Sequence, residues 1–341
     1  MYSTHEGLVV KPGYLANQMH GMNDFRDPAL PFFTVIEMEY VKHSAEVTPD
    51  DWCSLAEEVY RNYYDYDGFV VVHGTDTMHY TATALSFMLV NLAKPVILTG
   101  ATVPLEEAYN DARRNLINAM MFAAHNDLCE VCIYFNDVLL RGNRAVNSKQ
   151  TMAAFESPNF PSLAEFRHRG FVVNTSVLLP QPKGSFRMQA VLSDKVMAVT
   201  LVPGSDVDAL MALLHSDSSG SRALDVLIVE LYGIGDVDAA SAQSLVSLAA
   251  RCHSCDTVVG VISPSLVHGM HDWQRDKLAS IDQNLIQLDD MTTEAALVKS
   301  MFLVGCGYRP DDIRKLLTQN LRGEISVGKH ERLRNAIGSK L

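Results

Sequence analysis

The chain is predicted to be α/β, two doubly wound domains in series, on three observations. Short continuous runs of β-branched and apolar residues recur along it, segments with apolar residues at helical spacing lie between them, and one irregular stretch divides the pattern in two. The length of 341 residues suits two domains, since domains usually hold ~100–200 residues each.

In the first half, Gly68–His73 (GFVVVH) is an uninterrupted apolar run of the kind found in parallel strands buried on both faces. Residues 95–98 (PVIL) and 131–135 (VCIYF) repeat it, which predicts three neighbouring parallel strands. Met78, Ala82, Leu85, Met88 or Leu89, and Leu92 recur at helical spacing between the first two, and Ala108, Ala112, Leu116, Ala119 and Met120 do so between the second and third. From about 174 to 189 the text changes to NTSVLLPQPKGSFRMQ, with two prolines, a glycine and no clear period. The domain boundary is expected there, giving an N-terminal domain over 1–185 and a smaller one over 190–341. Residues 196–202, 226–231, 258–262 and 285–288 are its strand candidates, with helical patterns near 206–215, 240–251, 292–304 and 310–318. No internal repeat or low-complexity tract interrupts the pattern.

Composition narrows the function. A hydrophobic content of 48% with no apolar run near the roughly 18 residues that span a bilayer excludes a membrane helix. The first residues, MYSTHEGLVVKPGYL, carry no basic stretch followed by an apolar one, so a cytoplasmic protein is expected. A formal net charge of −12 argues against nucleic acid as partner, because phosphate backbones are held by clustered Lys and Arg. The basic stretch between Lys329 and Lys340 is taken as a solvated helix face. Six cysteines include the pairs Cys129/Cys132 and Cys252/Cys255, whose C-x-x-C spacing suits zinc. Cys132 lies inside an apolar strand, however, and burial as a small hydrophobe accounts for it better, so neither a metal nor a cofactor is expected.

In an open α/β sheet, ligands bind beyond the carboxyl ends of the strands, where loops lead into helices and backbone N–H groups are free. His73-Gly74-Thr75-Asp76-Thr77 falls at such a place: the glycine permits a tight turn, the threonine offers a hydroxyl and the aspartate a carboxylate. Thr75 and Asp76 are also good helix caps, and for an isolated G-T-D-T capping would be the favoured account. Two further loops shift the balance. Thr99-Gly100-Ala101-Thr102-Val103-Pro104, followed by Asn110-Asp111 and Asn115, succeeds the second strand, and Arg141-Gly142-Asn143-Arg144 follows the third. Three such loops together suit a small polar ligand bearing a carboxylate or an amide.

The segment YDGFVVVHGTDTMHYTATALSFML, followed by KPVILTGATVPL and NDARRNLINAM, resembles the bacterial-type L-asparaginases, particularly their cytoplasmic type I branch. TPDDW at 48–52, RGNR at 141–144, ESPN at 156–159, DDMTTEAAL at 289–297 and QNLRGE at 319–324 extend the resemblance from about residue 7 to 324. It implies two α/β domains of the asparaginase type, assembly as a homodimer or homotetramer, and hydrolysis of L-asparagine to aspartate and ammonia through an acyl-enzyme on threonine. Carried over position by position, it makes Thr75, Asp76 and Lys149 the catalytic group. It assigns the substrate to Ser44, Gly74, Thr75, Asp76, Ala101 and Glu294, with Asp76 and Glu294 at the α-amino group, Ser44 at the α-carboxylate and the Ala101 carbonyl at the side-chain amide.

The departures from the family pattern are as specific as the matches. The nucleophile-bearing T-G-G-T-I-G loop and its strand, central in such sheets, do not occur in the text and would lie ahead of Met1, so an incomplete N-terminus is the expected account. After Arg144 the family reads T-T-K, whereas here Ala145-Val146-Asn147 stands, with Lys149 two residues late. Asp236 replaces an asparagine in a G-x-G-N turn. Glu230, Ser263 and Ser265 stand where some type I enzymes hold a regulatory asparagine, and a carboxylate at 230 predicts that this control is missing. The alternative is therefore a catalytically inactive relative that binds aspartate or asparagine as a sensor or partner subunit. A transamidating relative, a third possibility, would carry an additional N-terminal domain.

Overall fold

The computed structural model describes residues 2–4, 7–9, 12–148, 151–168, 170–202, 204–205, 210, 224–231, 239–263, 282 and 284–326. By its internal contacts the chain divides into two compact units, Met1–Ala190 and Val191–Leu341.

The first unit opens with an antiparallel hairpin of β1 (Tyr2–Thr4) and β2 (Gly7–Val9), then α1 (Tyr14–Gly21). A single turn of 3-10 helix at Ser44–Glu46 leads into α2 (Pro49–Asn62). That helix starts at Thr48 for a legible reason: the Asp51 carboxylate accepts from the Thr48 backbone N–H at 2.7 Å and from its hydroxyl at 2.8 Å, and Pro49 occupies the first turn, where a missing N–H costs nothing. β3 (Phe69–Val72), α3 (Met78–Met88), β4 (Leu89–Val90), β5 (Val96–Thr99), α4 (Ala112–Ala123) and β6 (Val131–Phe135) follow in the predicted alternation. Of the apolar positions assigned to the second helix, Ala108 lies in the turns before it.

β3, β5 and β6 pair in parallel, with Phe69 opposite Val96 and Ile97 opposite Cys132. Beyond β6 the sheet turns antiparallel through β7 (Val138–Arg141), β10 (Ala164–Arg167) and β11 (Gly170–Val173), giving the order β11-β10-β7-β6-β5-β3. The reversal is made by two residues, Asn136 and Asp137, both at positive φ (46° and 67°), the tight hairpin turn that Asn and Asp tolerate best. Short ladders of β8 (Val146–Asn147) with β9 (Phe155–Glu156), and of β12 (Arg187–Met188) with β4, complete the unit.

Two expectations are corrected here. Among the described residues β3 is the edge of its sheet, with β5 its one partner, so its side chains are only partly buried and Val72 is 49% exposed. Strands β5 and β6, with neighbours on both sides, are fully buried. The hairpin also carries the chain back along β6, so Arg141 lies opposite Cys132 near the start of that strand. The Arg141–Arg144 turn thus sits at the amino end of the parallel strands, away from the loops that follow β3 and β5.

The second unit is a parallel sheet in the order β13 (Val196–Thr200), β14 (Val226–Glu230), β15 (Val258–Ile262), β16 (Leu285–Gln287). Helices α5 (Ala239–Ser254), α6 (Thr293–Gly305) and α7 (Pro310–Leu317) accompany it, with α6 packed on β13 and β14. Most of the helix expected near 206–215, Asp236, Ser265 and the basic stretch beyond residue 328 lie outside the described residues. Inside this unit the Lys299 ammonium is fully buried. It donates to the carbonyls of Leu317 and Gln319 and lies 2.6 Å from the Glu324 carboxylate, so the QNLRGE segment is folded around a charge pair.

Cys132 and Cys252 are buried and all six cysteines are free. Burial pushes the Cys132 thiol well above its usual range and the Cys252 thiol up to about 12.

Candidate active site

The site grows from the carboxyl end of β3. The pairing with β5 runs one residue past the strand, where the His73 N–H donates to the Thr99 carbonyl at 2.8 Å. The imidazole of His73 then ties the loop to the helix: Nδ1 lies 2.7 Å from the Gly74 carbonyl and Nε2 3.0 Å from the Thr81 hydroxyl. A carbonyl can only accept, so these partners assign the proton to Nδ1 and leave Nε2 accepting from Thr81. Burial lowers the pKa of His73 and keeps the ring neutral.

α3 begins after Thr77, and no side chain caps its N-terminus. With no side-chain cap made, Thr75 and Asp76 are not there to cap the helix, and Asp76 and Thr77 are engaged with Ser44 instead. Ser44, buried and brought in by the 3-10 turn, donates from Oγ to Asp76 Oδ2 at 3.0 Å and accepts from the Asp76 N–H at 3.3 Å. Thr77 donates from its hydroxyl to the Ser44 carbonyl at 2.6 Å. A Cβ on Gly74 would stand 2.6 Å from Ser44 Oγ, so glycine is what permits this approach. Asp76 is nevertheless open to solvent, its side chain 55% exposed, with His43 Nδ1 3.8 Å from Oδ2. Thr75 is half-buried, and among the described residues its hydroxyl has no hydrogen-bond partner. Its backbone carbonyl accepts from the Asn147 amide at 3.0 Å.

The loop after β5 lies directly against the first. A Cβ on Gly100 would be 2.2 Å from the His73 carbonyl oxygen and 2.9 Å from Met78 Cε. Ala101 follows, half-buried, in a loop held from behind by the buried Asp111, whose carboxylate accepts the N–H groups of Thr102 and Val103.

Of the residues singled out in the sequence, Ser44, Gly74, Thr75 and Asp76 are therefore gathered in one place, with Ala101 on the adjoining loop. Glu294 belongs to the second unit, in the first turn of α6 behind the N-cap Thr292, whose hydroxyl accepts from Ala295 at 3.1 Å. Burial raises its pKa and the nearby Glu230 carboxylate adds to the rise; Glu230 itself accepts from the Thr293 hydroxyl at 2.8 Å. Lys149 lies outside the described residues. The donors expected from Arg141-Gly142-Asn143-Arg144 are not offered to a ligand. Arg141 pairs with the buried Glu130, donates to the Val177 carbonyl at 2.7 Å and lies 4.4 Å from the Phe160 ring, while Arg144 is 1% exposed and 4.9 Å from the same ring. Asn147, which the sequence places at the third position of the segment where a lysine is expected, reaches Thr75 instead; that position was the signal for it.

Among the described residues no group of His, Cys, Asp and Glu is arranged to hold a metal ion, and no helix is long and apolar enough to cross a membrane. The fold and these loops define an α/β protein with hydroxyls and an anchored carboxylate at the carboxyl ends of parallel strands. The family model described as asparaginase, N-terminal, matches residues 4–178. L-asparaginase 1 of Escherichia coli (strain K12) is 35% identical over 329 residues, covering 96% of this chain and 94% of that one. The crystal structure of L-asparaginase I from Vibrio cholerae superposes with a TM-score of 0.84 at 32% identity, covering 96% of this chain and 95% of that one. The thermostable L-asparaginase from Thermococcus kodakarensis gives 0.79 at 27% identity, covering 96% of each. The chain belongs to the asparaginase family.

Proposed function

We propose that the chain is an L-asparagine amidohydrolase in which Asp76 receives the substrate's α-ammonium group. The observation that carries this is the exposed Asp76 carboxylate, held by Ser44 beside the unengaged hydroxyl of Thr75. An ammonium set against an anchored carboxylate gains a charge-assisted hydrogen bond and fixes the amino-acid end of the ligand. Ser44 is assigned to the α-carboxylate, the Ala101 carbonyl to the side-chain amide and Glu294 to the amino group. In the reaction a threonine hydroxyl adds to the side-chain amide carbon, the C–N bond breaks and ammonia leaves with the transferred proton. Water then cleaves the ester to release aspartate. Lys149 is assigned the proton-moving role beside Thr75. The names of the E. coli and V. cholerae relatives support the substrate. A homodimer or homotetramer in the cytoplasm completes the proposal, with no nucleic acid, membrane or cofactor as partner.

A second reading, an inactive relative that binds aspartate or asparagine, is favoured by Asn147. An amide held against Thr75 positions the loop but moves no proton.

Two measurements test these readings. Aspartate is expected to raise the melting temperature of the chain, and Asp76→Ala to abolish the rise; unchanged stabilisation overturns the site. The purified 341-residue chain is expected to release ammonia from asparagine at no more than a trace, because a lost nucleophile costs several orders of magnitude in rate. Robust release would point to a hydroxyl inside the chain, Thr75 or Thr102 first, since Thr77 is engaged with Ser44. If release is seen, Lys149→Met should reduce it sharply, and equal activity would remove Lys149 from the mechanism. Binding without release by a protein to which the T-G-G-T-I-G strand of the family has been added favours the second reading.

A further inference from the structure

We infer that Asp111, braced by Asn115, is a positioning residue of this site: it fixes the Gly100–Val103 loop against the His73–Thr77 loop and thereby sets where the ligand's side chain is met. The inference rests on the proposed site and concerns which residues outside the ligand shell hold it.

Asp111 occupies the N-cap of α4, where an aspartate ordinarily turns its carboxylate onto the helix's own first N–H groups. Here it does not: no side-chain capping bond is made. The carboxylate points back into the preceding loop. Oδ1 and Oδ2 lie 3.1 and 3.0 Å from the Thr102 nitrogen, and Oδ1 also accepts from Val103 at 3.0 Å. Oδ2 further accepts from the Asn115 amide at 3.1 Å. Asn115, fully buried one helical turn on, donates as well to the Gly100 carbonyl at 3.0 Å and accepts the Asn136 N–H at 3.2 Å. Two side chains on one face of α4 thus take three backbone groups of a four-residue loop, and the second also ties that loop to the β6–β7 turn.

An anion that forgoes its helix to collect loop N–H groups from a buried position pre-organises the loop, because those bonds are charge-assisted. The loop's far side is the contact between Gly100 and the His73 carbonyl, so a change at Asp111 is transmitted to the Thr75–Asp76 segment through backbone in direct contact. In Asp111→Asn one carboxylate oxygen becomes an NH2, which faces a donor whichever way the amide is turned.

The test compares Asp111→Asn with Leu116→Ala, a cavity on the same helix whose side chain packs with Met19, Phe25 and Met120. For each, the melting temperature, the Kd for L-aspartate and the hydrogen exchange of the Thr102 and Val103 amides are measured on the full chain. Asp111→Asn should raise the Kd by about tenfold or more and expose both amides to exchange. Leu116→Ala, with an equal or larger fall in melting temperature, should leave the Kd within about twofold. A Kd unchanged in Asp111→Asn, or raised equally by Leu116→Ala, overturns the positioning role and leaves the site standing. No aspartate binding by the unsubstituted chain overturns the site and the inference together. If Asp111→Asn does not fold, Asp111→Ser, which retains one acceptor, carries the same comparison.

Discussion

The His73–Thr77 loop and the Arg141–Arg144 turn look alike in the sequence, each a short polar segment with a glycine after an apolar run, yet the fold uses them in opposite ways. Asp76 stands open with its side chain 55% exposed and Ser44 as its anchor. Arg141 and Arg144 are enclosed, and the guanidinium of Arg141 is spent on Glu130, the Val177 carbonyl and the Phe160 ring. Glu130 in turn accepts from the Leu179 N–H at 3.0 Å, so this pair fastens the 177–179 segment to the sheet. The same vocabulary of charge and glycine therefore leaves a carboxylate with a free side in one place and braces the interior in the other, where the Arg141 guanidinium finds its partners within the core.

The sharpest way to break the comparison is to remove one partner of the internal pair. Arg141→Met leaves the Glu130 carboxylate buried without its counter-ion and should cost about 3–5 kcal/mol in urea unfolding. Aspartate binding by the folded fraction should be unchanged. Replacing Glu130 by Leu in the same chain should recover much of the loss, since two apolar groups leave no buried charge behind. A large effect of Arg141→Met on the Kd would erase the distinction between the two loops.

Next in size is an effect of pH. His79, on α3 just past the ligand loop, is buried, and burial together with the neighbouring His73 lowers its pKa to about 4. In the unfolded chain a histidine titrates near 6.5, so between these values the unfolded state takes up a proton that the folded state refuses. Stability from this group is whole above about pH 6.5 and declines as the pH falls towards 4. At pH 4.5 the deficit should be about 2–3 kcal/mol, and His79→Phe should lack that part of the acid limb in denaturant midpoints compared at pH 7.5 and 4.5. An identical pH dependence in the two proteins would contradict the buried, neutral state of this ring.

Smaller still, Gly100→Ala places a methyl group 2.2 Å from the His73 carbonyl and should cost about 1–3 kcal/mol while separating the two ligand loops. Its Kd for aspartate should rise more than its stability falls. Ser44→Ala should lower stability least, by about 1 kcal/mol, because the hydroxyl's two bonds to Asp76 are lost beside a carboxylate and a loop that water can reach. Yet it should weaken aspartate binding clearly in calorimetry, as Asp76 loses its anchor. Equal binding by Ser44→Ala would move the recognition role away from this corner of the loop.

Periodicity was sufficient for the framework. The runs at 69–72, 96–99, 131–135 and 258–262 are strands, and α3, α4 and α5 arise where apolar spacing placed helices. The Asn136-Asp137 turn shows why the antiparallel extension escaped notice: two residues of loop are easily passed over between apolar runs, although an Asn-Asp pair at positive φ is itself a hairpin signal. Misplacing that turn put the Arg141–Arg144 segment at the wrong end of the sheet. Ser44, Thr75 and Asp76 were legible because the pattern around them is specific to the family. His73, Thr77 and Asp111 were not assigned roles, because a buried imidazole, a threonine and an aspartate before a helix have ordinary structural uses that local sequence does not distinguish.

The sequence by itself determined the class of fold, the family, and the strand-end loop that carries Thr75 and Asp76, since hydrophobic period and glycine placement are local properties of the chain. Only the tertiary structure decided which polar groups remain available. Ser44 meets Asp76 across 32 positions of chain, Asn147 meets Thr75 across 72, and Arg141 is claimed by a glutamate 11 residues away. A charged or hydroxyl side chain is free for a ligand only when no buried partner satisfies it, and that partner is chosen by packing at a distance rather than by neighbours in sequence.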